Sequence, residues 1–181
     1  MVTIGFLELN SIAKGIEAAD AMCKAASVTL LEARPSCPGK YHILITGEVS
    51  AVQSSIKAGN LTGSGFVIDE LVIPRIHPEV VAAINMSCMP ENPQSIGVLE
   101  FFSVTGSILA ADAAVKSANV HLIELRLGTG IGGKSFVTLT GDVSAVKTAI
   151  ENGANTAKDS GLLVNTAVIA HPDKALLKTL Y

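Results

Sequence analysis

The sequence contains no tryptophan, few aromatic residues of any kind (4%) and few charges (16%), with a formal net charge of −3 over 181 residues. That combination leaves neither a basic footprint nor a stacking platform for nucleic acid. Its three cysteines argue against a disulfide framework and for a reducing compartment. Long apolar runs are also missing. Although 49% of the residues are hydrophobic, charges or prolines interrupt every apolar stretch well before the roughly 18 residues that a spanning helix needs. The opening segment, Met1 to Asn10, has no basic residues ahead of its apolar ones and already includes Glu8, so no signal peptide is read there. The expectation is a soluble intracellular protein, neither membrane-bound nor bound to nucleic acid. Its apolar excess would be buried between subunits.

What the sequence does contain is itself, twice. Sixteen of the 31 residues from Ile4 to Arg34 recur 92 positions later, among them Ile4-Gly5, Leu7-Glu8, the run Ala18-Ala19-Asp20-Ala21, Lys24, Glu32 and Arg34. After a two-residue insertion the register resumes: Gly39-Lys40 matches Gly133-Lys134, and Val49-Ser50-Ala51-Val52 matches Val143-Ser144-Ala145-Val146. The reading is a first domain over 1–85, a proline-bearing linker over 86–95 and a second domain over 96–181.

Each copy carries the same pattern. In the first, Ile4–Leu9 suits a buried strand, and Ser11–Ala26 a helix with Ser11 as N-cap and Ile12, Ile16, Ala19 and Cys23 on its apolar face. Val28–Glu32 and Lys40–Thr46 read as strands separated by a loop. Val49–Ala58 reads as a helix stopped at Gly59, Gly65–Ile73 as a strand and His77–Ile84 as a short helix. Strand–helix–strand–strand–helix–strand is the split βαβ pattern, so the fold class expected is α+β, two tandem ferredoxin-like domains.

The opening IGxLE, the helix endings AADAMxKAAxV and AADAAxKSAxV, the TGxVSAV segment and the closing VIPRIHPEV together resemble a bacterial microcompartment shell domain. Two in one chain resemble the tandem-domain shell proteins. The resemblance implies a homotrimer in which six domains form a pseudo-hexameric tile, packed edge to edge with other shell proteins around an enzyme pathway in the cytoplasm. It implies no catalytic residues and no enzyme activity. A duplicated module lets a three-fold ring occupy a six-fold lattice while its two pore loops diverge.

They have diverged. Arg34-Pro35-Ser36-Cys37-Pro38-Gly39-Lys40 in the first copy faces Leu127-Gly128-Thr129-Gly130-Ile131-Gly132-Gly133-Lys134 in the second. In the family this loop lines the pore, which assigns Ser36, Pro38, Gly39, Gly128, Gly130 and Gly132 to the lining. The first loop is similar to that of the iron–sulfur tandem shell proteins of propanediol-utilisation compartments. The similarity implies that Cys37 from three chains ligates one [4Fe–4S] cluster per trimer, for electron transfer or redox exchange across the shell with a partner enzyme. The alternative is a cluster-free tile whose pore conducts a small polar metabolite. Lys24, Lys116 and Arg75 match the family's tile-edge residues, although the second copy, at Val168-Ile169-Ala170-His171-Pro172, has no arginine.

Other features carry less. Cys23, opposite Val115, is expected to pack in the core, and Cys88 in the linker is given no function. Gly128 to Gly133 fits G-x-G-x-x-G but lies between two β-type runs, so it lacks the strand-then-helix setting of a dinucleotide site. His42, His77, His121 and His171 form no ligand spacing. Glu8 and Glu100 share one repeat position, which suggests a structural hydrogen bond.

Overall fold

A computed structural model describes residues 2–84, 90, 93–156 and 162–180. The chain forms two compact units, Met1–Ile76 and His77–Tyr181. Unit 1 contains β1 (Val2–Leu9), α1 (Ile12–Ala25), β2 (Thr29–Ser36), β3 (Lys40–Gly47), α2 (Val49–Gly63) and β4 (Val67–Ile76). Unit 2 begins with α3 (Pro78–Ile84) and repeats the plan with β5 (Ser95–Phe101), α4 (Val104–Ser117), β6 (Val120–Leu127), β7 (Ser135–Gly141), α5 (Val143–Thr156) and β8 (Leu163–Ile169), ending in α6 (Lys174–Leu177). The sheets run β2-β3-β1-β4 and β6-β7-β5-β8, antiparallel throughout. This is the split βαβ order expected from the sequence. The short helix that the sequence reading placed at the end of the first domain packs instead with the second unit.

The helices cover one face of each sheet. In unit 1, Leu7, Leu9, Tyr41, Ile43 and Ile45 from the strands meet Ala18, Ala19, Met22, Val52 and Ile56 from the helices. Ser11 caps α1 as expected, accepting from the Lys14 N–H at 3.3 Å, and Ser103 does the same for α4 from Gly106 at 3.0 Å.

The helix–sheet contact is close, which corrects two expectations. Gly59 does not end α2. It lies inside the helix, where an added Cβ would come within 2.6 Å of Met22 Sδ; the glycine serves packing, and the helix runs on to Gly63. The face that α1 turns inward is Gly15, Ala18, Ala19 and Met22. Cys23, expected in the core, is exposed, as are Ile12 and Ile16. Small residues let α1 approach the sheet, and the larger aliphatics line its outer side.

The tightest approach differs between the copies. A Cβ on Gly15 would lie 2.4 Å from Tyr41. At the equivalent positions of unit 2 stand Ser107 and Ser135, both fully buried and each bonded to a backbone carbonyl, Val104 O at 2.8 Å and Ser103 O at 2.7 Å. One pair is glycine beneath tyrosine, and the other is two residues of intermediate size.

Candidate functional site

Strand β2 extends to Ser36, further than the sequence reading took it, because it is an edge strand and tolerates Pro35. The loop therefore contracts to a three-residue turn, Cys37-Pro38-Gly39, closed by the Gly39 N–H donating to Ser36 O at 2.9 Å. Gly39 has φ +96, and an added Cβ would meet nothing within 4 Å. Glycine is required here by backbone conformation. The Cys37–Pro38 bond is cis. Cys37 is partly exposed at the hairpin tip and Ser36 is buried, its hydroxyl without a partner. The residues assigned to the first pore loop thus sit together at one tight turn, Ser36 at its start and Pro38 and Gly39 within it.

The second loop is built differently. Between Leu127 and Ser135, Gly128, Gly130, Gly132 and Gly133 all have φ between 67 and 83, so the chain turns through left-handed positions that only glycine adopts at little cost.

Beneath each loop a lysine ties the hairpin to the first strand of its unit. Lys40 Nζ donates to Glu8 Oε1 at 3.0 Å, and Lys134 Nζ to Glu100 Oε1 at 2.9 Å. Glu8 and Glu100 therefore do serve as structural acceptors. Unit 1 adds His42, the direct cross-strand partner of Glu8, with Nε2 3.0 Å from Oε1. An ionised carboxylate only accepts, so Nε2 carries the hydrogen. His42 is fully buried, edge-on to Phe6 at 5.2 Å, and its Nδ1 has no partner. Unit 2 has Phe136 at this position. Sequence reasoning missed the pair; its one signal was a histidine where the repeat has phenylalanine.

Burial raises the Glu8 pKa, but hydrogen bonds from His42 and Lys40 and the charge on Lys40 outweigh it, so the carboxyl titrates below its ordinary 4.5. A depressed carboxylate stabilises the fold above its unfolded pKa and loses that contribution as pH falls through the folded one. Glu8→Gln is accordingly expected to lower the urea midpoint at neutral pH. The gap from the wild type should close as pH falls below 4.5, through the lowered folded pKa. A gap of constant size across that range would show that the carboxylate charge is not what stabilises.

The expected edge residues are found on the surface. Lys24 and Lys116 occupy the last turns of α1 and α4, each paired to the aspartate four residues earlier, Asp20 at 2.6 Å and Asp112 at 2.5 Å. Arg75 is exposed, with φ +57, where β4 shifts register against β1. Unit 2 lacks both the arginine and that irregularity. Cys88 lies outside the described residues. Among the described residues no three His, Cys, Asp or Glu side chains gather within the chain to hold a metal, and no helix is long and apolar enough to cross a membrane.

Two ferredoxin-like units in one chain, each with a loop joining its edge strand to the neighbouring strand, have the architecture of a tandem-domain shell protein. The BMC domain matches residues 3–76 and again 95–172, and the chain belongs to this family, the shell proteins of bacterial microcompartments. It is similar to the bacterial microcompartment shell protein PduT of Citrobacter freundii, with 43% identity over 96% of this chain and 94% of that one. A crystal structure of a microcompartment protein from Desulfitobacterium hafniense superimposes with a TM-score of 0.93 at 49% identity, covering 98% and 99% of the two chains. A fused permuted hexameric shell protein, MSM0275, shares the fold at TM-score 0.66 and 20% identity, covering 87% and 84%.

Proposed function

We propose that three copies of this chain close into a pseudo-hexameric shell tile, and that Cys37 from each copy ligates one [4Fe–4S] cluster at the central opening. The observation that carries this reading is the position of Cys37. It stands partly exposed at the tip of a tight turn in the first domain, and the second domain has only glycines, threonine and isoleucine there. A single thiol cannot hold a cluster, so the ligand set is completed only by other copies. Three equivalent thiolates suit three irons of a cubane, whose usual ligands are cysteines. When bound, such a cluster supplies one-electron transfer.

The residues of this chain would provide the setting. Gly39 brings backbone close to the axis without a side chain in the way, and the Lys40–Glu8 pair anchors the hairpin below the thiol. The role that follows is electron transfer or redox exchange across the shell, with a partner enzyme on one side. Lys24, Lys116 and Arg75 would meet neighbouring tiles.

Iron and acid-labile sulfide, measured on anaerobically purified protein, are expected at about four each per three chains. Values near zero after chemical reconstitution would leave a cluster-free tile whose opening passes a small polar metabolite.

A further inference from the structure

The two units are alike in sequence but not in what covers them. In unit 2, Val104, Ile108 and Val115 of α4 and Leu122 of β6 are all buried. The same repeat positions in unit 1 are Ile12, Ile16, Cys23 and Leu30, and all four are exposed: Ile16 by 56% against 0% for Ile108, and Leu30 by 42% against 4% for Leu122. Part of the cover in unit 2 is α3. The His77 N–H at its start donates to Asp112 Oδ1 at 2.8 Å, and Glu79 accepts from the Leu122 N–H at 3.0 Å and pairs with His121 Nδ1 at 3.2 Å.

The end of the chain is built like α3. Val72 pairs with Gly5 and Val168 with Gly97, so the last strands correspond at a spacing of 96, and α3 and α6 begin at Pro78 and Lys174, again 96 apart. Both helices are capped two residues back. The Glu79 N–H donates to His77 Nδ1 at 3.4 Å, and the Ala175 N–H to Asp173 Oδ1 at 2.7 Å. In this register the buried Val80 and Ile84 of α3 become Leu176 and Leu180. Leu176 is 38% exposed. One hydrogen-bonded pair disappears from both sides at once, because Glu79 becomes Ala175 and His121 becomes Thr29.

We infer that residues 173–180 of one copy dock on α1 and β2 of the next, in the place that α3 holds on α4 and β6. Leu176 and Leu180 cover Ile16 and Leu30, and the Asp173 N–H donates to Asp20, whose other carboxylate oxygen already holds Lys24. The occupant is a second copy because the chain contains both halves of the contact and displays both. The contact is head-to-tail, with two different surfaces meeting, and such contacts propagate until a ring closes. The inference rests on the three-copy ring proposed above and names the segment that closes it.

The test reads oligomer mass by native mass spectrometry, and Cys23 alkylation by peptide mapping, in the full chain, in a chain ending at Pro172, and in Ile16→Glu. The substituted position is already exposed in the single chain, so that variant retains the fold should the truncation fail to. The full chain is expected as a closed trimer with Cys23 alkylated at least about tenfold more slowly than in either variant, because a covered thiol reacts only on opening. Both variants are expected to lose the trimer. A trimeric full chain with equally trimeric variants and unchanged Cys23 reactivity would overturn the docking while leaving the ring. A full chain that stays monomeric would overturn the ring as well.

Discussion

Gly15→Ala is expected to destabilise the first domain by about 2 kcal/mol, although alanine is the better helix former by about 1 kcal/mol. The added methyl would sit 2.4 Å from the Cβ, Cγ and Cδ1 of Tyr41. That side chain is held among Leu7, Leu9, Ala18 and Met22 and cannot step aside as the end of a flexible chain would. Overpacking of a filled core costs about 1–3 kcal/mol and more where backbone must move. The second domain supplies the control, since it solves the same contact with Ser107 and Ser135. Gly15→Ser and Tyr41→Ser should each destabilise when made singly. Together they should cost less than the sum of the two, by more than about 1 kcal/mol, the signature of coupled neighbours. Urea unfolding of the four proteins decides it, and additive losses would mean that the two residues do not share one constraint.

Cys37→Ser is expected to remove nearly all of the iron while leaving the fold and the trimeric state intact. A serine hydroxyl is close to a thiol in size, and Cys37 sits partly exposed in a turn held by Ser36, Gly39 and the flanking strands, so the fold loses little. The loss is one of ligand chemistry, because iron–sulfur clusters take thiolates. Cys23→Ser, on the outer side of α1, should keep its full iron content. Iron that survives Cys37→Ser would place the metal elsewhere in the protein, and a loss of trimer alongside iron would make Cys37 an assembly residue first.

Much of the architecture was legible because the sequence states it twice. The 92-residue spacing, the Ser11 cap and the strand runs led to two split βαβ domains, which the sheet orders bear out. The errors have physical causes. Gly59 reads as a helix stop because glycine so often ends helices, whereas here it makes room for Met22. Periodicity put Ile12, Ile16, Ala19 and Cys23 on the apolar side of α1. Ala19 does face the core, but periodicity cannot say whether the cover for the other three comes from the same chain. The small residues Gly15, Ala18 and Ala19, weak in any hydrophobicity pattern, form the inner face. At the loop, Pro and Gly around Cys37 announced a turn. The tightness of that turn followed from Pro35 being admitted to an edge strand. The Glu8–His42 pair was invisible because it depends on register across β1 and β3, 34 residues apart.

The contrast between the two loops has a consequence in time. A three-residue turn clamped by its own backbone hydrogen bond and a lysine at its base keeps one shape. The seven-residue stretch 128–134 also has a lysine at its base and a backbone hydrogen bond, Lys134 N–H to Ile131 O at 3.3 Å, but its four left-handed glycines leave the backbone more freedom. Loop motions of that kind fall in nanoseconds to microseconds. In a closed tile three stiff lips would alternate with three restless ones. The aperture would then breathe with three-fold symmetry, and its narrowest width at any instant would be set by the glycine lips, with the cysteines standing still between them.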